Sequence, residues 1–475
     1  MHFLSHALST KKSDISLNSR HLLFSDRALR ALIVPLIFEQ TLAMTVGMMD
    51  TVMISAVGEA AVSGVSLVDM INNLVFAVFA AMASGGAVVV SQQLGAKRPA
   101  KARDAAQQLL ITILALSLAV MGITIAVRKP MLRLFFGSIE EDVMENALIY
   151  FLISALSFPF LAVYNACAAL FRSMGNAGIT LRTAIVVNLI NVVGNALGVF
   201  VFHMGTAGVA IPSLISRAAG AVILFVLLLK PNQEIYLKGL LARPDWGTIQ
   251  KILYIGVPNG LENGIFQLGR VLVVSIIALF GTTQIAANGV ANSLDGMGVI
   301  IGQATGLAMI TVIGQCVGAG SEEQVRYYLR RIMIITYIPQ ALLECVIIAF
   351  LHPILSLYGL SPETTQLTWL LVVIHCSCAA VLWPVAFVFP NMLRACNDVR
   401  FTMMSSICSM FVFRIGFSYV LGVFLGWGAI GVWAAMIVDW ICRIICFVLR
   451  YRSGKWRKLA GLDRQASSSP ERDRE

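Results

Sequence analysis

The chain reads as an all-α polytopic membrane protein: twelve transmembrane helices in two pseudo-twofold-related six-helix bundles, related as a parallel repeat. Three observations predict this. Of 475 residues, 58% are hydrophobic and only 13% charged, about half the charged share of an average soluble protein. The apolar residues gather in runs of about twenty, long enough to span a bilayer as helices. The chain also repeats itself. Pro35 recurs as Pro258, Glu39 as Glu262, Gly58 as Gly281, Gly95 as Gly318 and Arg103 as Arg326, all at an offset of 223.

In order, the apolar runs place spans 1 to 6 at 31–55, 66–92, 106–127, 146–171, 181–202 and 207–229. Spans 7 to 12 fall at 253–280, 289–316, 331–351, 367–393, 401–425 and 429–450. The repeat continues through both halves. Arg172-Ser-Met-Gly-Asn matches Arg394-Ala-Cys-Asn-Asp, and Thr180 matches Thr402, at an offset of 222. Gly205-Thr-Ala-Gly-Val then matches Gly428-Ala-Ile-Gly-Val at 223. Six spans per half give both halves the same orientation, so the repeat is parallel about an axis along the membrane normal, a common transporter plan. The domains are then a cytoplasmic segment 1–30, an N-lobe 31–229, a linker 230–251, a C-lobe 252–450 and a basic tail 451–475. Past Arg464 the tail is polar, low in complexity and expected to be disordered.

The net charge of +10 is a statement about topology. Loops on one side carry 28 Lys and Arg, and loops on the other carry 3. That asymmetry is the positive-inside pattern and sets both termini in the cytoplasm of a multi-pass cell-membrane protein. It argues against a nucleic-acid footprint. Residues 1–30 lack the uninterrupted apolar core of a signal peptide. Nine cysteines, an odd number without a CxxC pair, argue against a disulfide framework or a zinc site. No GxxxxGK[ST] phosphate loop is present, so uphill movement of a solute would draw on an ion gradient. No cofactor is expected, the coupling ion being H+ or Na+.

Ionisable groups inside apolar spans are costly and mark functional interiors. Glu39 and Asp50 lie eleven residues apart in span 1, close to three turns, so they share a face about 16 Å apart. Pro35 and Pro258 each remove a helix hydrogen bond close to an acid, Glu39 and Glu262. Asn188, Asn191 and Asn195 form one stripe on span 5. They offer oxygen ligands to a hard cation on one reading; hydrogen bonds to a protonated Asp50 are another, and interhelical polar packing a third. Asp69, Asp295 and His375 are further cavity candidates, His375 being a protonation switch or a packing residue. Asp439 and Arg443, at i and i+4, are expected to pair, with Arg414 joining them, as a structural ion pair. Arg270 and Glu344 also lie in spans.

These features resemble the multidrug and toxic compound extrusion (MATE) family, in the multidrug/oligosaccharidyl-lipid/polysaccharide exporter superfamily. The stretches that carry the resemblance are Met49-Asp50-Thr51-Val52-Met53, Gln93-Leu-Gly95-Ala-Lys and Leu170-Phe-Arg172-Ser-Met-Gly-Asn. In the second half they are Gly256-Val-Pro258-Asn-Gly-Leu-Glu262-Asn, Gly314-Gln315-Cys-Val-Gly318-Ala-Gly, and Gly431-Val-Trp433 on to Asp439-Trp440 and Trp456. The resemblance implies two lobes forming a V around a large cavity, and export of organic, often cationic and amphipathic compounds against inward H+ or Na+. It carries the family's amino-lobe cation site onto Asp50, Asn191 and Asn195, and its seventh-span acid onto Glu262. Asn195 is an Asp in some members, and no acid occurs in 367–393, where others use one. Both departures weaken the case for sodium.

The resulting expectation is a monomeric secondary antiporter that takes small drug-like molecules, contacts membrane lipid and binds no nucleic acid. Two rivals predict different features. A flippase for a lipid-linked precursor would use the C-lobe arginines in a lateral groove. A membrane-embedded lipid-modifying enzyme would need a His/Asp or metal-ligand cluster at one membrane face, and none is visible in the sequence.

Overall fold

The computed structural model describes residues 22–137, 140–237 and 243–463, and contains twelve helices long and apolar enough to cross a membrane. No strand occurs among the described residues. The expected disorder past Arg464 and most of segment 1–30 lie outside them. Spans 2, 3 and 4 overrun their apolar runs at both ends, and spans 1 and 5 at the start: span 1 is Asp26–Ser55, span 2 Glu59–Gly95, span 3 Pro99–Phe136, span 4 Glu141–Ser173, span 5 Ala177–Val201 and span 6 Ala207–Leu228. Spans 7, 9, 10, 11 and 12 are Trp246–Ala278, Glu322–Ala349, Pro362–Ala395, Val399–Phe424 and Gly428–Arg452. Span 8, expected at 289–316, is broken. Thr282–Gly298 and Ile300–Gly318 are separate helices joined at Val299, and Gly298 is pressed against the Glu344 carboxyl.

The duplication recurs in the backbone. Gly58, Lys97, Gly137, Gly175, His203 and Gly205 all have positive φ, and so do Gly281, Gly320, Gly359, Asn397, Gly426 and Gly428. Each residue of the first set has its mate in the second at 222 or 223 positions. At the turn after span 4, Gly175 (φ 76°) becomes Asn397 (φ 65°) after span 10. Asn is a non-glycine residue that tolerates the left-handed region. Spans 5 and 11 both end in π-helical turns, Leu197–Val201 and Tyr419–Phe424. In each half the next span packs against that turn through glycine. A Cβ on Gly198 would meet the backbone of Gly208, and one on Gly431 would stand 2.8 Å from the Gly422 nitrogen. Small residues at such crossings let membrane helices pack backbone to backbone.

Packing divides the chain into two compact units. The first comprises Val34–Val90 and Arg98–Gln267; the second comprises Ser91–Lys97 with the described residues of Met1–Ile33 and Leu268–Glu475. The sequence repeat draws its lobes at 31–229 and 252–450. The packing boundaries instead fall inside spans 1, 2 and 7.

The first unit is cored by aromatic rings, with Phe158 edge-on to Phe76 and Phe79 at 6.1 and 6.0 Å. It also anchors the end of the linker. Buried Gln108 donates to the Arg243 carbonyl and accepts from the Asp245 amide, at 3.0 and 3.1 Å. Asp245 then caps span 7. Its carboxylate accepts from the Thr248 hydroxyl at 2.5 Å and the Gly247 amide at 3.0 Å, which hold it below the usual carboxylate range.

In the second unit Gly95 and Gly318 make reciprocal contacts. A Cβ on Gly95 would strike the Gln315 carbonyl, and one on Gly318 the Gln92 carbonyl. Both pairs are repeat mates at 223. Spans 9 and 10 open on Ser321 and Ser361, whose hydroxyls accept from the amides three residues on, at 3.3 Å each.

Candidate functional site

In the first unit, polar residues from five spans collect near the end where span 1 turns into span 2. Asp50 of span 1 accepts from Asn195 Nδ2 of span 5 at 2.7 Å. Asn195 is fully buried, and its Nδ2 also lies 3.4 Å from Asn191 Oδ1. Asn191 in turn donates to Ser213 of span 6 at 2.9 Å. Asn188, three positions before Asn191, is half-buried on the same stripe. Asn195 Oδ1 has no hydrogen-bond partner among the described residues. A buried, unpaired acceptor is an expensive thing to keep.

Asp69 of span 2 continues the cluster. It accepts from Asn72 Nδ2 at 3.3 Å and from the Tyr150 hydroxyl of span 4 at 3.1 Å. Arg217 of span 6 donates to Ser157 Oγ at 2.6 Å and lies 4.6 Å over the Phe76 ring. Its guanidinium acts electrostatically on Asp50, Asp69 and Tyr150 alike. Sequence reasoning missed Arg217 and Tyr150. The signal for Arg217 was present: it is the one charged residue in the apolar run 207–229, four positions after Ser213 and so on its face. Tyr150 gave no such signal, since a tyrosine near a span end is commonplace.

Glu39 belongs to a second cluster, toward the other end of the first unit. It is 9% exposed, accepts from the Thr180 hydroxyl at 2.7 Å and pairs with Arg172 at 3.4 Å. Glu39, Arg172 and Thr180 are also three of the residues that the repeat copies, as Glu262, Arg394 and Thr402. Glu262 is buried within the same unit. Near it Asn259 donates to the Ala81 carbonyl at 3.2 Å.

In the second unit, Asp295 Oδ1 lies 2.8 Å from His375 Nε2. His375 is sandwiched edge-on between Trp433 and Trp440, with centroids at 5.5 and 5.3 Å. Asp439 is fully buried and lies 2.9 Å from Arg443 Nε, 2.5 Å from Ser409 Oγ and 3.9 Å from Arg414 Nη1. No group of three or more His, Cys, Asp or Glu suited to a metal ion occurs among the described residues.

The MatE family model matches residues 35–197 and 258–420. The chain belongs to the MatE family. The two matched stretches begin 223 positions apart and end 223 apart, the offset of the repeat. MatE proteins are transporters and not enzymes, and with twelve spanning helices this one is a multi-pass membrane protein. The chain is 26% identical over 436 residues to an uncharacterized transporter, YisQ, of Bacillus subtilis, covering 89% of this chain and 93% of that one. It is 25% identical over 441 residues to a probable multidrug resistance protein NorM of Thermotoga maritima, covering 91% and 94%. Its fold matches an outward-facing multidrug resistance MATE family transporter of the MOP superfamily, with a TM-score of 0.83 at 17% identity over 92% and 96% of the two chains.

Proposed function

We propose that this MatE chain is a secondary antiporter of the cell membrane, with both termini cytoplasmic, that exports organic, mostly cationic and amphipathic compounds in exchange for protons. Family membership and relatives named as multidrug resistance proteins support efflux of small molecules. The observation that carries the choice of ion is the pairing of Asp50 with Asn195. Asn195 gives its N–H to one carboxyl oxygen while its own carbonyl, fully buried, stays unpaired. A proton on Asp50 would let the acid donate back to that carbonyl, closing a two-bond acid–amide pair. Deprotonated, Asp50 keeps one Asn195 bond and the nearby positive charge of Arg217. Proton binding therefore changes how span 1 is held to span 5, and a cationic solute competes for the same carboxylate.

Sodium would need several oxygen ligands. Asp50 and Asp69 instead receive donors from Asn195, Asn72 and Tyr150. The flippase reading rests on Arg270 with Arg414, and of these Arg414 lies 3.9 Å from the buried Asp439, beside the Asp439–Arg443 pair.

The test is uptake of fluorescent cations into everted membrane vesicles under separately imposed pH and sodium gradients. Transport should follow the pH gradient alone, and Asp50→Asn should abolish it without lowering expression. Transport driven only by sodium, or retained in Asp50→Asn, would overturn this reading.

A further inference from the structure

The second unit buries polar groups for which the Asp50 reading has no use. Gln340 and Glu344 of span 9 are 0% and 1% exposed and lie one turn apart on one face. Opposite them on the broken span 8 stand Gly302 and Gly298, also four positions apart. A Cβ on Gly298 would come within 2.6 Å of both Glu344 carboxyl oxygens, and one on Gly302 within 2.8 Å of Gln340 Oε1. The two glycines thus let two long polar side chains lie flat against span 8.

Neither end of the Gln340 amide finds a hydrogen-bond partner among the described residues. Glu344 has only the weak thiol of Cys376. Helix packing does not require this arrangement. One turn further along the same face of span 9, Thr336 meets span 8 with its hydroxyl bonded to Thr305 at 2.8 Å.

The charged and titratable groups that face Glu344 from its packed neighbours are Asp295 of span 8 and His375 and Cys376 of span 10. Arg270 and Arg414 act on Asp295 in turn. A bare carboxylate without donors is among the costliest groups to hold inside a membrane bundle, whereas a carboxylic acid is tolerated there.

We propose that Glu344, with Gln340 and the Asp295–His375 pair, is a proton-binding site separate from Asp50. Bound to Glu344, the proton gives the carboxyl a donor to Gln340 Oε1 one turn away. Released, it passes from the carboxyl oxygen to water, and leaves a carboxylate that faces His375, whose ring nitrogen lies 2.8 Å from Asp295.

Proton uptake by the purified full-length protein in detergent tests this, on stepping from about pH 8 to about pH 5, a range bracketing histidine and carboxylate titration. Glu344→Gln should take up one proton fewer than the wild type. Asp50→Asn should also take up one fewer, and the double variant two fewer. Uptake in Glu344→Gln equal to the wild type overturns the proposal. So does a double variant equal to Asp50→Asn. The Asp50→Asn arm reports on the antiport reading independently. Should Glu344→Gln not fold, Gln340→Leu decides. Loss of the acceptor should weaken proton binding about tenfold, a shift of about one pH unit, and an unmoved titration overturns the site.

Discussion

Glu39 shows what an acid needs in order to stay in a span. It has an arginine at 3.4 Å and a hydroxyl at 2.7 Å, from two different helices, and so ties span 1 to spans 4 and 5. Removing one partner of a buried pair strands the other charge, at about 3 kcal/mol. Arg172→Ala should therefore lower the thermal unfolding midpoint in detergent, while the double variant Glu39→Gln/Arg172→Gln should cost less than the two single changes summed. Asn195 works differently, because its bond to Asp50 belongs to the proposed cycle. A hydrogen bond to a charged group contributes about 1.5–3 kcal/mol. Asn195→Ala should therefore lower the unfolding midpoint and reduce proton-driven efflux by roughly tenfold or more, whereas efflux equal to the wild type would remove Asn195 from the cycle. The acids themselves were legible in the sequence, since a charge in an apolar run is conspicuous. Their partners were not. Nothing in the spacing said that Glu39 would face Arg172, 133 positions away, or that Arg217 would stand among Asp50, Asp69 and Tyr150.

At the scale of helices, glycine decides how close two axes come. Gly95 and Gly318 each lie where a methyl group would strike a backbone carbonyl, which no rotamer change relieves. Gly318→Ala should cost about 1–3 kcal/mol or more by the overpacking it forces, read as loss of monodisperse protein on size-exclusion chromatography. Gly122, with open space where its Cβ would be, should accept alanine without that loss. Spans as such were legible, because twenty-residue apolar runs have few other uses. The break at Val299 was not, because hydropathy is blind to a helix that bends around a neighbour's carboxyl. The π-helical ends of spans 5 and 11 were hidden for the same reason: an extra residue per turn leaves composition unchanged.

For the whole molecule, the sequence carried most of the plan. Five identities at one offset foretold a duplication that the positive-φ residues then repeat turn by turn, including a swap of Gly175 for Asn397. The loop charges predict the sides, with both termini cytoplasmic. A fluorescent reporter fused at the carboxyl terminus should be active and a periplasmic phosphatase fused there silent. The reverse should hold for fusions at Gly137, in the loop with few basic residues. Opposite outcomes would invert the proposed topology.

The crossed contact of Gly95 with Gln315 and of Gly318 with Gln92 has a historical consequence. In a dimer of single halves, such a contact would be isologous, one surface meeting its own copy. Any change there would then strike both sides at once, and few would survive. Fusion into one polypeptide makes the two sides separate genetic loci. One glycine can be kept while the residue facing its twin drifts, and that freedom is how a symmetric ancestor comes to hold an asparagine-lined acid in one half and a histidine-lined acid in the other.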